Sequence, residues 1–420
     1  MVEIHFWTRL ARRPYDRRRP VLRKGAADHA DRFRPARMAA PCRDSGRSRG
    51  RRGRMRVRWF GDRGGPGGGS FRRCRCVARG RLPGTVVIQT NWWPQAEYGG
   101  LYRLLGRDVR IDTSKKLVSA PLVASGADTG VRIEIRSGGP ANNFTPASKL
   151  LYVDRNVTLA GSDLDQAAQF SKESPITAVF APMDLSPLVL MWDPQTYPAV
   201  KTIADVGRAG ARVLTFQGST YVDYLTGAGI LRKAQVEGSY DGTPARFVTE
   251  KGKVVQQGYL TNEVYAYEQE ISQWKKKVGW ALVNDAGYPN YPEALTVRQD
   301  RRTELASCLE KLVPILQMAT VGYVADPQPT NDLLVRLTDE YGAYPYSAAR
   351  AAHAVTAMKD NRLLGNGANA TIGDFERERV QRIVDVVTPI FAGQRQPVKD
   401  GLSADDLFTN EFIDTTVSLP

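Results

Sequence analysis

From residue 84 onward, short β-branched apolar runs alternate with stretches of helical spacing. Runs at 86–90, 131–136, 157–160, 176–181, 188–192, 211–216, 281–284 and 295–298 predict strands. Helical stretches between several of them indicate an α/β chain with largely parallel sheets. The end of the chain is more helical. Leu305, Cys308, Leu309, Leu312, Leu316 and Ala319 fall on one stripe, which Pro314 is expected to kink. Asp374 reads as an N-cap for a helix presenting Val380, Ile383, Val384 and Val387. No internal repeat, coiled coil or apolar run of transmembrane length is read from the pattern.

The first predicted strand opens into Asn91-Trp92-Trp93-Pro94-Gln95-Ala96-Glu97-Tyr98-Gly99-Gly100. A strand whose carboxyl end meets an aromatic and polar loop is how open α/β sheets build ligand sites. Aromatic faces beside a carboxylate suit a flat, nitrogen-bearing molecule. Trp92 and Trp93 could instead both be core. Neighbours on an extended chain point to opposite sides, however, and Pro94 stops the strand, so the ligand reading is preferred.

Composition divides the chain near Pro83. Residues 1–83 hold 24 Arg, one Lys and six acidic residues, an excess of 19 positive charges in a chain whose formal charge is +15. The remaining 337 residues therefore carry −4, and the sequence pI near 9.7 describes only the first segment. That segment lacks apolar periodicity and is expected to be disordered. It reads as a nucleic-acid arm, as a targeting segment or, preferred here, as out-of-frame translation of GC-rich DNA, with the true secretion signal missing. Cys42, Cys74 and Cys76 lie in it, which leaves Cys308 as a buried small hydrophobe.

The order of motifs in the body resembles substrate-binding proteins of ABC importers. It is similar to the type II periplasmic-binding-protein branch that holds nitrate, sulfonate and taurine binders and the thiamine-pyrimidine-precursor binders and synthases. The likeness is carried by the Trp92-Trp93 loop and by Ile176-Thr177-Ala178-Val179-Phe180-Ala181-Pro182-Met183-Asp184-Leu185-Ser186-Pro187. Thr202-Ile203-Ala204-Asp205-Val206 and Gly258-Tyr259-Leu260-Thr261-Asn262-Glu263 complete it. The resemblance implies two α/β lobes about a cleft: a first lobe over 84–183, a second over 184–290, and a return over 291–420 with C-terminal helices. Tyr98 stands where related sequences often have His. The Cys-rich motif of the synthases has no counterpart, which argues against their chemistry.

Candidate ligand contacts are Trp92, Trp93, Gln95, Glu97 and Tyr98 on the first lobe, with Ser162 at a helix entry. Ser219, Thr220, Tyr221, Tyr224 and Glu263 are the candidates on the second. The small hydroxyls serve equally well as ordinary helix caps. Glu263 would pair with a ligand N–H or cation, although Asn262 could simply cap a helix carrying Val264, Tyr267, Ile271 and Trp274. His353 is the body's only His and supports no catalytic triad or metal set. Gly365-Asn366-Gly367-Ala368-Asn369 reads as a turn, and Lys275-Lys276-Lys277 as a solvated helix end. No cofactor or metal is expected. The expectation is a monomeric extracytoplasmic protein, periplasmic or membrane-anchored like a lipoprotein, that binds a small heteroaromatic or amine-bearing solute and delivers it to an ABC permease. The alternatives are an enzyme on the same scaffold acting on a pyrimidine-like compound and, last, a nucleic-acid binder acting through the tail.

Overall fold

The computed structural model describes residues 84–420. The readings made of 1–83, including disorder, charge and its three cysteines, lie outside the described residues.

The strands are β1 Thr85–Gln89, β2 Arg110–Asp112, β3 Leu117–Ala124, β4 Ala127–Arg136, β5 Leu159–Ser162 and β6 Ile176–Phe180. They continue as β7 Leu188–Trp192, β8 Arg212–Leu214, β9 Val236–Glu237, β10 Val254–Tyr259, β11 Gly279–Leu282 and β12 Ala294–Arg298. They form two sheets, ordered β2-β3-β4-β1-β5-β12-β6 and β11-β7-β10-β8-β9. The chain leaves the first sheet after β6 and returns with β12. Two segments, 181–187 and 283–293, thus join the lobes built on the two sheets.

The sheets are mixed rather than largely parallel. β1 runs parallel to β4 and β5, and β10 to β8. The hairpin β2-β3-β4 is antiparallel, as are β12 against β5 and β6 and β7 against β10 and β11. Four strands escaped the hydrophobic pattern. Pro121 obscured β3, where the pairing shifts register between Pro121 and Val123. Gln256 and Gln257 interrupted β10, yet both are buried: Gln256 accepts from Tyr267 Oη at 3.2 Å and Gln257 from Tyr221 Oη at 2.9 Å. β2 and β9 are too short to show a period.

Helix ends also differ from expectation. Asp374 accepts from the Asn369 amide at 2.5 Å, and the helix Arg377–Gly393 takes Glu376 as its N-cap. The helix Arg302–Ala325 continues through Pro314. With the turn before it, Gln299–Ala325 is long and apolar enough by length and composition to cross a membrane, contrary to the reading above. Its apolar stripe is spent on the core: Leu305, Cys308, Leu309, Leu312 and Leu316 are buried in the cluster that includes Ile88, Ile133 and Val297. Glu263–Tyr265 is a single helical turn followed by the π-turn Ala266–Glu270, so no long helix carries Ile271 and Trp274. Lys275 to Lys277 follow in a loop, where Lys276 pairs with Asp193 at 3.1 Å and lies over the Trp274 ring.

The helix Arg377–Gly393 packs against helices of both lobes, Leu164–Gln169 and Thr220–Gly227. Its Arg379 reaches both connecting segments. It donates to Asp184 Oδ1 at 2.8 Å, to the Asp184 carbonyl at 2.6 Å and to the carbonyls of Pro289 and Asn290 at 3.1 and 3.2 Å, and it lies over the Tyr291 ring.

Gly99 and Gly100 let the chain after the Trp loop press against the helix Arg302–Ala325. A Cβ on Gly99 would fall inside the Tyr323 ring, and one on Gly100 would meet Thr320. Tyr323 is fully buried and donates to Asn331 at 2.8 Å, so it cannot yield. Gly99→Ala should therefore cost about 1–3 kcal/mol. Gly227→Ala, at a helical glycine facing open space, should be neutral or stabilising by ~1 kcal/mol. Urea unfolding of the two variants checks the contrast.

Candidate functional site

The strand ends of the first lobe converge on the gap between the sheets. β1 ends before Asn91, β5 delivers Ser162 and Asp163, and Glu293 immediately precedes β12. The Trp loop adds Gln95, Glu97 and Tyr98 through one turn of 3₁₀ helix, Ala96–Tyr98. From the second lobe, β10 ends at Tyr259, followed by Thr261 and Glu263.

These groups form three hydrogen-bonded sets that act on one another through their charges. The Tyr98 hydroxyl donates to Asn91 Oδ1, whose amide donates to Asp163 Oδ1 at 3.4 Å. The same Asp163 oxygen accepts the Glu293 N–H at 2.8 Å. Gln95 donates to Glu293 Oε1 at 3.5 Å and accepts from the Tyr344 hydroxyl at 3.2 Å. Thr261 reaches across from the second lobe, its hydroxyl donating to Glu97. Glu263 accepts the Tyr259 N–H at 2.7 Å.

The site is acidic, and its acid groups are buried. Glu97 and Glu293 are each 3 % exposed. Burial pushes the Glu97 carboxyl up to about 7, although Thr261 stabilises its charge. Burial, reinforced by Asp165, pushes Asp163 up to about 7 as well. Glu293 is raised well above the usual carboxyl range, by burial and by the neighbouring Glu97 and Asp163. Glu263 is raised by burial and eased by Arg350. Arg350, the guanidinium near this group, is itself bound to Glu270 Oε2 at 2.9 Å and Asn262 Oδ1 at 3.0 Å. Glu293 also holds a left-handed backbone, φ +55, a conformation costing about 1–3 kcal/mol for a residue other than glycine. Among the described residues, no group of three or more His, Cys, Asp or Glu is placed to hold a metal ion.

The two tryptophans part company. Trp93 is buried in the first lobe's core. Trp92 is half-buried at the rim, between Phe144 of the first lobe at 6.0 Å and Phe216 of the second at 6.5 Å between ring centroids. Gln95, Glu97, Tyr98 and Glu263 belong to the carboxyl cluster. Ser162 is fully buried beside it, with its hydroxyl turned to the Asp163 carbonyl at 3.2 Å, so it is not a helix cap. Ser219 occupies an N-cap position but donates to the Phe216 carbonyl at 3.0 Å, and Thr220 begins the helix Thr220–Gly227. Tyr221 is buried with its hydroxyl on Gln257. Tyr224 donates to the Ala286 carbonyl at 3.1 Å and packs on Tyr288. These two tyrosines are engaged within the fold and lie outside the carboxyl cluster.

Asn91, Asp163, Tyr259, Thr261, Glu293 and Tyr344 were not among the residues singled out as site candidates. Asp163 and Glu293 flank predicted strands at the cleft end of a sheet, which is a usable signal. Nothing local marks Tyr344.

No family model matches this chain, and no curated protein matches it. Among solved structures, it is similar to the periplasmic aliphatic sulphonate binding protein of Escherichia coli, at 14 % identity and a TM-score of 0.49, over 75 % of this chain and 89 % of that one. The alkanesulfonate-binding protein of Xanthomonas axonopodis pv. citri bound to MOPS gives 12 % and 0.48, over 78 % and 99 %. The periplasmic nitrate-binding protein of Synechocystis PCC 6803 gives 10 % and 0.39, over 63 % and 68 %. The architecture is α/β, with two mixed sheets joined by two connecting segments.

Carboxyls raised on folding bind protons that the unfolded chain has released. Between the ordinary values of 3.8 and 4.5 and the folded values near 7, the folded state carries the extra protons. Its stability therefore falls as pH rises through that window. The melting temperature of the solute-free protein should drop from about pH 5 to about pH 8, and Glu97→Gln and Asp163→Asn should each flatten the slope. Scanning calorimetry across that range is the check.

Proposed function

We propose that this chain is the solute-binding component of an ABC-type importer, working outside the cytoplasmic membrane as a monomer that hands its solute to a membrane permease. The cleft holds a small organic molecule bearing an amine or similar N–H donor, attached to a flat or heteroaromatic body, and the molecule leaves unchanged. The observation that carries this reading is the buried carboxyl cluster between the lobes, in which Glu293 Oε2 has no hydrogen-bond partner. A buried acceptor without a donor costs roughly 1–3 kcal/mol, which a ligand N–H would remove. The Trp92–Phe216 pair at the rim offers stacking surface for the body of the molecule. Sulfonate and nitrate, the solutes of proteins with a similar fold, are anions, and an acidic cleft would repel them.

Two arms of one experiment test this. Thermal shift against a set of small heteroaromatic amines, with taurine and nitrate alongside, should find stabilisation among the amines alone. Chromatography of the recovered amine should show it intact, and a turned-over product would favour an enzyme. For the amine that binds, Glu263→Gln should weaken affinity by roughly 1.5–3 kcal/mol, the scale of a charge-assisted hydrogen bond. Trp92→Ala should also weaken it without unfolding the protein. Calorimetric titration that finds both variants equal to the parent would rule out this pocket.

A further inference from the structure

Glu293 is 97 % buried, and orphaned acceptors at such depth are rare in folded proteins. The Tyr98 hydroxyl and the Gln95 amide are the side-chain donors that stand beside the Glu293 carboxyl. The Tyr98 proton goes to Asn91, the Gln95 amide reaches only Oε1, and the Thr261 hydroxyl goes to Glu97. The titratable groups facing Glu293 are Asp163 and Glu97, with Tyr98 and Tyr259 beside them. Asp165 stands behind Asp163, and Glu263 faces from the second lobe. Arg350 acts on Glu263 and is bonded to Glu270 and Asn262. Several carboxylates at close range in a low-dielectric cleft cannot all be ionised without a cation.

Resting on the amine-binding reading above, we infer that the cleft exchanges a proton for its solute. An N–H-bearing organic cation donates to Glu293 Oε2 and displaces into bulk water a proton that the Glu293–Asp163–Glu97 group holds when the cleft is empty. Charge alone does not suffice, because a quaternary ammonium has no N–H to give the orphaned oxygen. The direction of pH dependence follows. The empty protein holds more protons than the complex, so affinity rises with pH until the group is ionised. Glu97 and Asp163, both pushed up to about 7, put that rise around neutrality.

Titration calorimetry with benzylamine and with benzyltrimethylammonium tests both parts. Runs at about pH 5.5, 6.5 and 7.5, each in two buffers of different ionisation heat, count the protons released. Benzylamine should bind up to about tenfold more tightly per pH unit below neutrality, release about one proton, and bind at least about tenfold more tightly than its trimethyl analogue. Glu293→Gln should abolish most of that preference. Should this variant not fold, Asp163→Asn leaves the Glu293 acceptor in place and should reduce proton release while keeping the preference. Benzylamine binding that is independent of pH and releases no proton overturns the exchange and leaves the amine reading standing. Equal binding of the two cations overturns the role of Oε2. Failure of benzylamine to bind at any of these pH values overturns the inference together with the amine reading.

Discussion

Burying carboxyl groups without a cation is the constraint around which this protein is built. A carboxylate moved from water into a low-dielectric space must be paired, hydrogen-bonded or protonated. Glu97, Asp163 and Glu293 meet that demand with short polar partners: Thr261, Asn91, Gln95 and backbone N–H groups. None of these brings positive charge, and burial raises all three carboxyls above their usual range. The rest of the architecture can be understood as what holds three such groups together against their mutual repulsion.

The strand order supplies that hold. β5 and β12 are neighbours and antiparallel, so the end of one and the start of the other lie side by side, and Ala294 pairs with Ser162. Asp163 and Glu293 are each one residue beyond that pair. Their closeness is therefore a property of sheet register. The left-handed backbone at Glu293 turns its N–H onto Asp163. Glu97 arrives from a third direction, on a turn fixed by the Gly99-Gly100 approach to Tyr323. Ridges of ordinary packing thus set the positions of groups whose electrostatics are not ordinary.

Much of this was legible in the sequence, and the gaps have physical reasons. Runs of Val, Ile and Leu marked eight strands to within a few residues, since buried central strands need continuous apolar side chains. β10 was missed because two glutamines sit in its middle, each buried with its amide oxygen accepting from a tyrosine outside the strand. The Trp92-Trp93 loop, Glu97 and Glu263 stood out through residue type, whereas Asp163 and Glu293 are 130 residues apart and unremarkable in isolation. Their meeting depends on β12 returning antiparallel to the first sheet, which no local pattern announces. Tyr221 and Tyr224 had the same appeal as Tyr98 but are occupied by Gln257 and the Ala286 carbonyl. A side chain's type shows what it can do; its neighbours decide whether it is free to do it.

Arg379 has a mechanical consequence. One guanidinium grips Asp184 on the outward connecting segment and the carbonyls of Pro289 and Asn290 on the returning one. Its helix also rests on both lobes. Two connections left to themselves could splay, twist or slide independently. Riveted to a common point, they are held in fixed relation to one another. The helix Arg377–Gly393 is thus a brace: a single side chain and a single buried face tie both connections and both lobes to one element.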